Sequence, residues 1–368
     1  KVWQLSVGEQ QRVEIIKCFY EGARILILDE PTAVLTAPET AELMAMIRKV
    51  ICAKCSVIFI SHKLNEVMEI ADRITVFRKG KMVGAIDKSD ADVQILSRMM
   101  VGRDIDLGGQ MKKRSPGGTV LEVVNACAKN DKGLPALDNV SFSLREGEIL
   151  GIAAVAGNGQ AELAEVIAGL RNLTGGTIRM DSRELQNLSV KQIIGLGVGH
   201  ISEKRLGRSL VPGFSIAQNL IVKDYNKPAF KKRGFIDRKA VDQYAAKMIG
   251  EYEISAPGPQ TQVRTLSGGN IQKVVLAREL DRKPRVLLAV NPTYGLDVGA
   301  IEFMQTRLNE ERERGAAVLL ISEELDEVLR LSDRIAVMSR GKVVAVLEQR
   351  DFDREKIGFL MTGGKASA

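Results

Sequence analysis

A set of short motifs occurs twice in this chain at one fixed spacing. Leu5-Ser6-Val7-Gly8 recurs as Leu266-Ser267-Gly268-Gly269, Pro31-Thr32 as Pro292-Thr293, Ile60-Ser61 as Ile321-Ser322, Asp72-Arg73-Ile74 as Asp333-Arg334-Ile335 and Gly80-Lys81 as Gly341-Lys342. Every pair lies 261 positions apart. An offset held without insertion over about 100 residues means that the two segments share one fold. Copy two begins near Thr119, far ahead of Leu266, whereas copy one has four residues before Leu5 and starts at Lys1. By that internal comparison, roughly 140 residues of the first copy are expected upstream. The organisation read from the repeat is a C-terminal part of a first domain over 1–102, a linker over 103–118 and a complete second domain over 119–368. The linker is marked by Gly108-Gly109 and Ser115-Pro116-Gly117-Gly118 around a Lys-Lys-Arg run.

The chain has 368 residues and 45% apolar content, enough to bury a sizeable core in about two domains. Lys and Arg number 53 against 46 acids. That surplus is scattered rather than gathered into a patch, which argues against a nucleic-acid partner. No apolar stretch approaches the roughly 18 residues needed to span a bilayer, and no signal peptide is visible. A soluble or peripheral protein on the cytoplasmic face of the membrane is therefore expected. Cys52 and Cys55 have redox or half-zinc spacing, but Cys18 and Cys127 stand alone, and His62 and His200 lack the partner spacing of a zinc site. Reduced cysteines in a cytosol fit this usage.

Short apolar runs at Ile25–Leu28, Val57–Ile60 and Arg73–Phe77 read as buried strands, separated by helical segments such as Glu39–Ile51. In copy two, Ile149–Ala153 feeds a glycine-containing turn and then a helix over Ala161–Leu170. This order predicts an α/β fold with an open, largely parallel sheet and a ligand at the carboxyl ends of its strands.

The strand Ile25-Leu26-Ile27-Leu28 ends in Asp29 and Glu30. Such a strand end suits one carboxylate that holds Mg²⁺, here Asp29, and a second, Glu30, that polarises a water attacking a γ-phosphate. Two acids after a strand also fit a solvated helix start. The following strand, however, ends in Ser61-His62, where an imidazole can contact the γ-phosphate and hold that water. In copy two, Ser267-Gly268-Gly269-Asn270 precedes an amphipathic helix over about Ile271–Leu280. A serine N-cap followed by residues without side chains presents a hydroxyl, bare backbone N–H groups and a positive helix end, which together suit an anion. By itself the same tetrapeptide is only a helix cap.

Together these motifs resemble the ATP-binding cassette family, over essentially the whole chain. Leu5–Gln11 and Leu266–Gln272 look like its signature motif, Ile25–Glu30 like its Walker B strand and His62 like its switch histidine. Ala33–Thr36 and Gly295-Leu296-Asp297 occupy its D-loop position, the first without the usual Asp. The resemblance implies a P-loop NTPase fold of the cassette type, with ATP and Mg²⁺ as cofactors. It also implies two cassettes paired head to tail, each ATP lying between the Walker motifs of one and the signature of the other.

That arrangement makes sense of an asymmetry. A phosphate loop reads G-x-x-x-x-G-K-[ST], yet copy two gives Ala154-Val155-Ala156-Gly157-Asn158-Gly159-Gln160-Ala161. Gln160 stands for the phosphate-binding lysine and Ala161 for the Mg²⁺-ligating hydroxyl. One unit-charge contact at about 4 Å is worth on the order of 4 kcal/mol at an effective dielectric near ~20, before desolvation. Val290, Asn291 and Glu323 replace Asp29, Glu30 and His62, so hydrolysis there is chemically implausible. The signature of copy one is degraded too: beside Ser6 and Gly8, Val7 stands where a glycine is expected, and Glu9 forms a Ser6-x-x-Glu9 capping box. The resemblance would place the two defective halves opposite each other, at a weak site formed by Gly157, Asn158, Gly159 and Gln160 with Ser6 and Gly8. It would likewise pair the intact halves, Asp29, Glu30 and His62 with Ser267–Asn270. Random decay has no need to sort in this way.

The details look closest to the tandem ATPases of bacterial nucleoside and simple-sugar importers. They include Gly157-Asn158-Gly159-Gln160, Glu203 at the Q-loop position and Gly295–Ala300; Ala161 and Tyr294 depart from the nucleoside branch, which more often has Ser and Arg. Such an ATPase implies membrane-embedded permease subunits as partners, an external solute-binding protein acting through them, and no nucleic acid. The segment Glu203–Val222 is the candidate permease contact, and nearby Phe214 and Tyr225 suit either that contact or the core. A translation or DNA-repair cassette protein is a rival reading, but the charged helical linker and zinc cysteines of those classes are not seen. A silent scaffold is the other rival, and it has no use for Asp29, Glu30 and His62 together.

Overall fold

The computed structural model describes residues 7–32, 35, 37–52, 55–78, 80–102 and 115–364. The chain divides into two compact units, Lys1–Leu107 with Asp297–Glu302, and Gly108–Leu296 with Phe303–Ala368. Along the first run α1 (Val7–Tyr20), β1 (Ile25–Asp29), α2 (Ala37–Cys52), β2 (Ser56–Ile60), α3 (Leu64–Ile70), the hairpin β3 (Arg73–Arg78) and β4 (Lys81–Asp87), and α4 (Val93–Val101). Strands β1 and β2 pair in parallel. One face of that pair buries Leu26 and Leu28 against Ile15 of α1 and Leu43, Met44 and Ile47 of α2. The other face is open, with Ile25 and Ile27 each 63% exposed, Ile58 50% and Ile60 46%.

The second unit opens with long antiparallel strands, β5 (Thr119–Lys129) and β6 (Pro135–Arg145), followed by β7 (Ile149–Ala153) and α5 (Gln160–Ile167). Next come β8 (Gly175–Met180), β9 (Arg183–Glu184), α6 (Val190–Gly195), β10 (Val198–Ile201) and α7 (Ile216–Ile221). A two-stranded hairpin, β11 (Lys231–Lys232) and β12 (Phe235–Ile236), leads into α8 (Arg238–Glu251) and α9 (Gly268–Leu280). The unit finishes with β13 (Val286–Val290), α10 (Val298–Arg314), β14 (Ala317–Ile321), α11 (Leu325–Leu331), β15 (Arg334–Ser339), β16 (Lys342–Glu348) and α12 (Arg354–Met361).

Two sheets result. One is antiparallel in the order β6-β5-β8-β9; the other runs β10-β13-β14-β7-β15-β16 and is parallel except for β16. Because β7 is buried on both faces it is apolar throughout, and β13 and β14 are likewise covered along their whole length. Leu163 and Ile167 of α5 join Val286, Leu288, Leu319 and Ile321 in the core on one side. Those four residues occupy the repeat positions of the open-faced Ile25, Ile27, Ile58 and Ile60 and are at most 2% exposed. Val274, Val275 and Leu276 of α9 pack with Leu287, Ala289 and Leu320 on the other side.

The repeat extends to fine geometry. The register Ile25↔Ser56 is matched by Val286↔Ala317, and both antiparallel hairpins shift register at one repeat position, Val76/Phe77 and Val337/Met338. Asp92 and Asp353 cap α4 and α12, accepting from Ile95 N at 2.6 Å and Lys356 N at 2.7 Å. The expected strands and helices are present, with shifted ends. Helix α5 stops at Ile167 rather than running to Leu170, because Gly169 turns left-handed at φ +72°. Helix α9 starts at Gly268, three residues earlier than the apolar periodicity suggested, because Ser267 serves as its N-cap.

Candidate functional site

In the first unit, β1 delivers Asp29 and Glu30 to its carboxyl end, and β2 delivers Ser61 and His62 beside them. Glu30 lies at φ +47°, a left-handed conformation that costs a residue with a Cβ. Its N–H bonds to the carbonyl of Ile60 at 2.9 Å, which ties the turn to the neighbouring strand. The carboxylate and imidazole meet: His62 Nδ1 lies 2.8 Å from Glu30 Oε1. The other oxygen, Oε2, is buried without a hydrogen-bond partner. A carboxylate fixed through one oxygen and free at the other is arranged to take a proton from a water, with the imidazole as its orienting neighbour.

Two further side chains steady this turn. Thr32 Oγ1 donates to Glu66 Oε2 at 2.6 Å, Ser61 Oγ lies 3.5 Å from the same oxygen, and Ser61 Oγ accepts from Lys63 N at 3.0 Å. Motif reading passed over Glu66, although a signal was present: Thr32 and Glu66 recur as Thr293 and Glu327 at the common offset. Glu327 is buried, and that burial pushes its carboxyl upward against hydrogen bonds from Ser322, Thr293 and Gln305.

The corresponding place in the second unit has the same backbone and different chemistry. Asn291 sits at φ +43°, its N–H bonds to Ile321 O at 2.7 Å, and its side-chain oxygen accepts from the Glu323 N–H at 3.0 Å. A cavity of about 150 Å³ lies there, with Gly157, Gln160, Glu203, Asn291 and Glu323 among its lining. Val290 and Ala161 also line it, in place of a metal-binding carboxylate and hydroxyl. Burial, followed by repulsion from Glu203 and Glu324, raises the Glu323 carboxyl above the usual range. A triphosphate would meet the same carboxylates.

The phosphate loop is closed on itself. Gln160 Nε2 and Asn158 Nδ2 each donate to Val155 O at 2.8 Å. Asn158 Oδ1 accepts from Arg340 N at 2.5 Å, so this side chain is engaged by the loop and by the β15–β16 turn and is not among the cavity-lining residues. Gly159 is required by space: at φ +99° a Cβ there would lie 2.4 Å from Ala136 O.

Ser267 is the N-cap of α9 yet makes no side-chain bond to the helix N–H groups. Its Oγ accepts from Asn270 Nδ2 at 2.9 Å, and Asn270 Oδ1 accepts from Ser255 N at 2.7 Å. The serine proton is thereby left to donate outward, at an exposed helix start with bare N–H groups at Gly268 and Gly269. The copy-one signature is only partly visible. Ser6 lies outside the described residues, as does the side chain of Glu9, and Gly8 lies in the first turn of α1. Helices α1 and α9 start at the same repeat position, Val7 and Gly268. Ala33, Val34 and Thr36 of the first D-loop position also lie outside the described residues. Phe214 and Tyr225, 41% and 48% exposed, are surface rather than core. Among the described residues no helix is long and apolar enough to cross a membrane, and no group of three or more His, Cys, Asp or Glu is placed to hold a metal.

A family model described as ABC transporter matches residues 1–33 and 137–294. The nucleoside import ATP-binding protein NupA of Lactococcus lactis subsp. cremoris is 41% identical over 98% of this chain and 71% of its own length. The guanosine import ATP-binding protein NupO of Bacillus subtilis is 43% identical over 99% and 71%. The ribose import ATP-binding protein RbsA of Bacillus licheniformis is 37% identical over 98% and 72%. Among solved structures, a dimeric ATP-binding cassette in a post-hydrolysis state with ADP and phosphate matches at TM-score 0.55 and 23% identity, over 63% of this chain and all of that one. A nucleotide-free cassette from an ABC transporter matches at 0.55 and 22%, over 67% and 96%.

Proposed function

The chain belongs to the ABC transporter family, and from that membership we propose that it is the ATP-binding subunit of an importer for nucleosides or simple sugars, driven by a single hydrolytic site. Members of the family bind ATP through a cassette of this fold and hydrolyse it. The observation that carries the single-site reading is the contrast between the two strand ends. Glu30 and His62 are 2.8 Å apart, with a free buried carboxylate oxygen, where the second cassette has Asn291 and Glu323 beside a self-closed phosphate loop.

In this reading Glu30 Oε2 accepts the proton of the attacking water while His62 holds Glu30 and the γ-phosphate in register. Ser267 and the N–H groups of Gly269 and Asn270 stabilise the charge developing on the phosphate from the opposite side. Asp29 suits Mg²⁺, because that ion is commonly held by one or two carboxylates together with substrate phosphates rather than by a full protein cage. When bound, Mg²⁺ supplies neutralisation of the β- and γ-phosphate charge. Gly157, Gln160, Ser6 and Gly8 would contribute to a second, weak or structural site. The half-exposed Phe214, with Leu206, Val211 and Val222 between 36% and 42% exposed and Tyr225 just beyond, supports Glu203–Val222 as the permease contact. In this reading the protein works at the cytoplasmic face of the membrane, receiving solute-dependent signals from an external binding protein through the permease.

Glu30→Gln tests the assignment in a version extended to the relatives' length. We expect turnover to fall at least about a hundredfold with ATP binding retained. Turnover that persists at wild-type rate would remove Glu30 from the mechanism.

A further inference from the structure

Residues 227–239 read Lys-Pro-Ala-Phe-Lys-Lys-Arg-Gly-Phe-Ile-Asp-Arg-Lys, six cations and one acid, so the surplus expected to be scattered along the chain is in large part gathered in this segment. The structure builds them into a fixed projection. Strands β11 and β12 pair Lys231 with Ile236 and Lys232 with Phe235. Their two-residue loop, Arg233 at φ +50° and Gly234 at φ +84°, matches the twist of a tight hairpin. The base is anchored: Asp237 N bonds to Phe230 O at 2.9 Å, and the buried Phe230 ring lies 5.0 Å from that of Tyr244.

What the hairpin presents is unusual. Phe235 is 80% exposed and Ile236 51%. Lys227 pairs with Asp224 at 3.0 Å, and Lys231 donates to Asn226 at 3.0 Å. Lys232, Arg233, Arg238 and Lys239 are exposed, and no partner for them is found among the described residues. The lone acid, Asp237, is occupied as the N-cap of α8, accepting from Lys239 N at 3.0 Å and Ala240 N at 3.2 Å. Four unneutralised cations therefore flank an exposed aromatic at the two-stranded tip.

We propose that this hairpin docks on an anionic phospholipid surface, Phe235 and Ile236 entering the headgroup boundary while Lys232, Arg233, Arg238 and Lys239 contact lipid phosphates. Charge complementarity selects this occupant. Each cation near an anionic bilayer strengthens binding about fivefold, and the exposed Phe235 ring, which has no polar group to keep hydrated, gains by leaving water for the acyl boundary. Neither contribution suffices alone, in keeping with the two-signal rule for stable peripheral anchoring. The inference goes beyond the ATPase assignment and stands independently of it, since it uses no residue of the nucleotide sites.

Co-sedimentation with vesicles of phosphatidylcholine, with and without phosphatidylglycerol, tests it on the chain as it exists. We expect binding only to the phosphatidylglycerol vesicles, weakening as salt rises. Phe235→Ser and the double variant Lys232→Gln with Arg233→Gln should each lower partitioning roughly tenfold or more. The control pair Lys132→Gln with Lys191→Gln removes equal charge elsewhere on the second unit and should stay within about twofold of wild type. A second readout uses Phe235→Trp with the single native tryptophan replaced, Trp3→Phe, whose emission should shift to the blue on binding. Failure of the wild type to bind either vesicle, as expected if an acidic segment of a protein partner is the true occupant, would overturn the proposal. Equal loss in the control pair, equal binding to neutral vesicles, or an unshifted Trp emission in the bound state would do the same.

Discussion

Glu30 and Asn291 share a left-handed backbone, a bond to the neighbouring strand and a position in the repeat, yet only one of them can act as a base. The chemical difference between the two cassettes therefore resides in side chains laid on one scaffold. Gln160 shows the same thing in the phosphate loop, where its amide donates to Val155 O at 2.8 Å instead of offering a cation to a phosphate. Replacing Gln160 by Lys and Ala161 by Ser restores the charge and the hydroxyl. We expect ATP affinity of the second unit to rise about tenfold or more in a calorimetric titration, since even a partly screened contact of this kind exceeds ~1.4 kcal/mol. Phosphate release should remain negligible, because Val290 and Asn291 still provide no carboxylate. Unchanged affinity would mean that Glu203 and Glu323 dominate the pocket.

At the scale of elements, helix α9 is bound to the sheet by a buried ionic cluster. Glu279, 1% exposed, meets Lys223 at 2.8 Å and Arg278 at 2.8 Å and accepts from the His200 N–H at 3.2 Å. The flanking cations hold the Glu279 carboxyl below its usual range in spite of burial. Glu279→Ala strands Lys223 and Arg278 and is expected to cost about 3–5 kcal/mol in chemical denaturation. His200, within β10, faces Glu279, Lys223, Arg278 and Glu165, and burial lowers its imidazole from 6.5 to about 4. The folded state thus binds fewer protons than the unfolded chain between those values. The associated stability is complete above the unfolded value and is lost as pH falls from 6.5 toward about 4, by at most about 3 kcal/mol. His200→Gln should flatten that acid limb in thermal melts, and an identical limb would exclude the imidazole as its source.

The legibility of the elements follows the same physics. Strands β1, β2, β7, β13 and β14 are legible because strands within a parallel sheet are short and apolar, and the repeat shows β1 again as β13 and β2 again as β14. The Asp29, Glu30 and His62 positions were readable because strand ends carry the polar residues of such folds. Strands β5 and β6 were not, since several register shifts break the alternation that would announce them. The hairpin β11–β12 was hidden because two-residue strands have no periodicity, although Arg233-Gly234 between apolar and basic residues is a turn signal. The Thr32–Glu66 bond joins two elements far apart in sequence, and only its recurrence in the second copy marked it.

For the whole molecule, the single-site proposal rests on complementary loss, in which the intact acids and imidazole of the first cassette would act with the intact signature of the second. The one phosphate loop of the present chain lacks its lysine, so we expect negligible phosphate release from this chain alone, as read in a phosphate-release assay. Placing one bulky acid in turn at the two signature serines, in a version extended to the relatives' length, separates the two pairings of cassette halves. Ser267→Glu should abolish ATP turnover, whereas Ser6→Glu should leave most of it. Turnover lost through Ser6→Glu and kept through Ser267→Glu would mean that Glu30 and His62 do not act with the second cassette's signature.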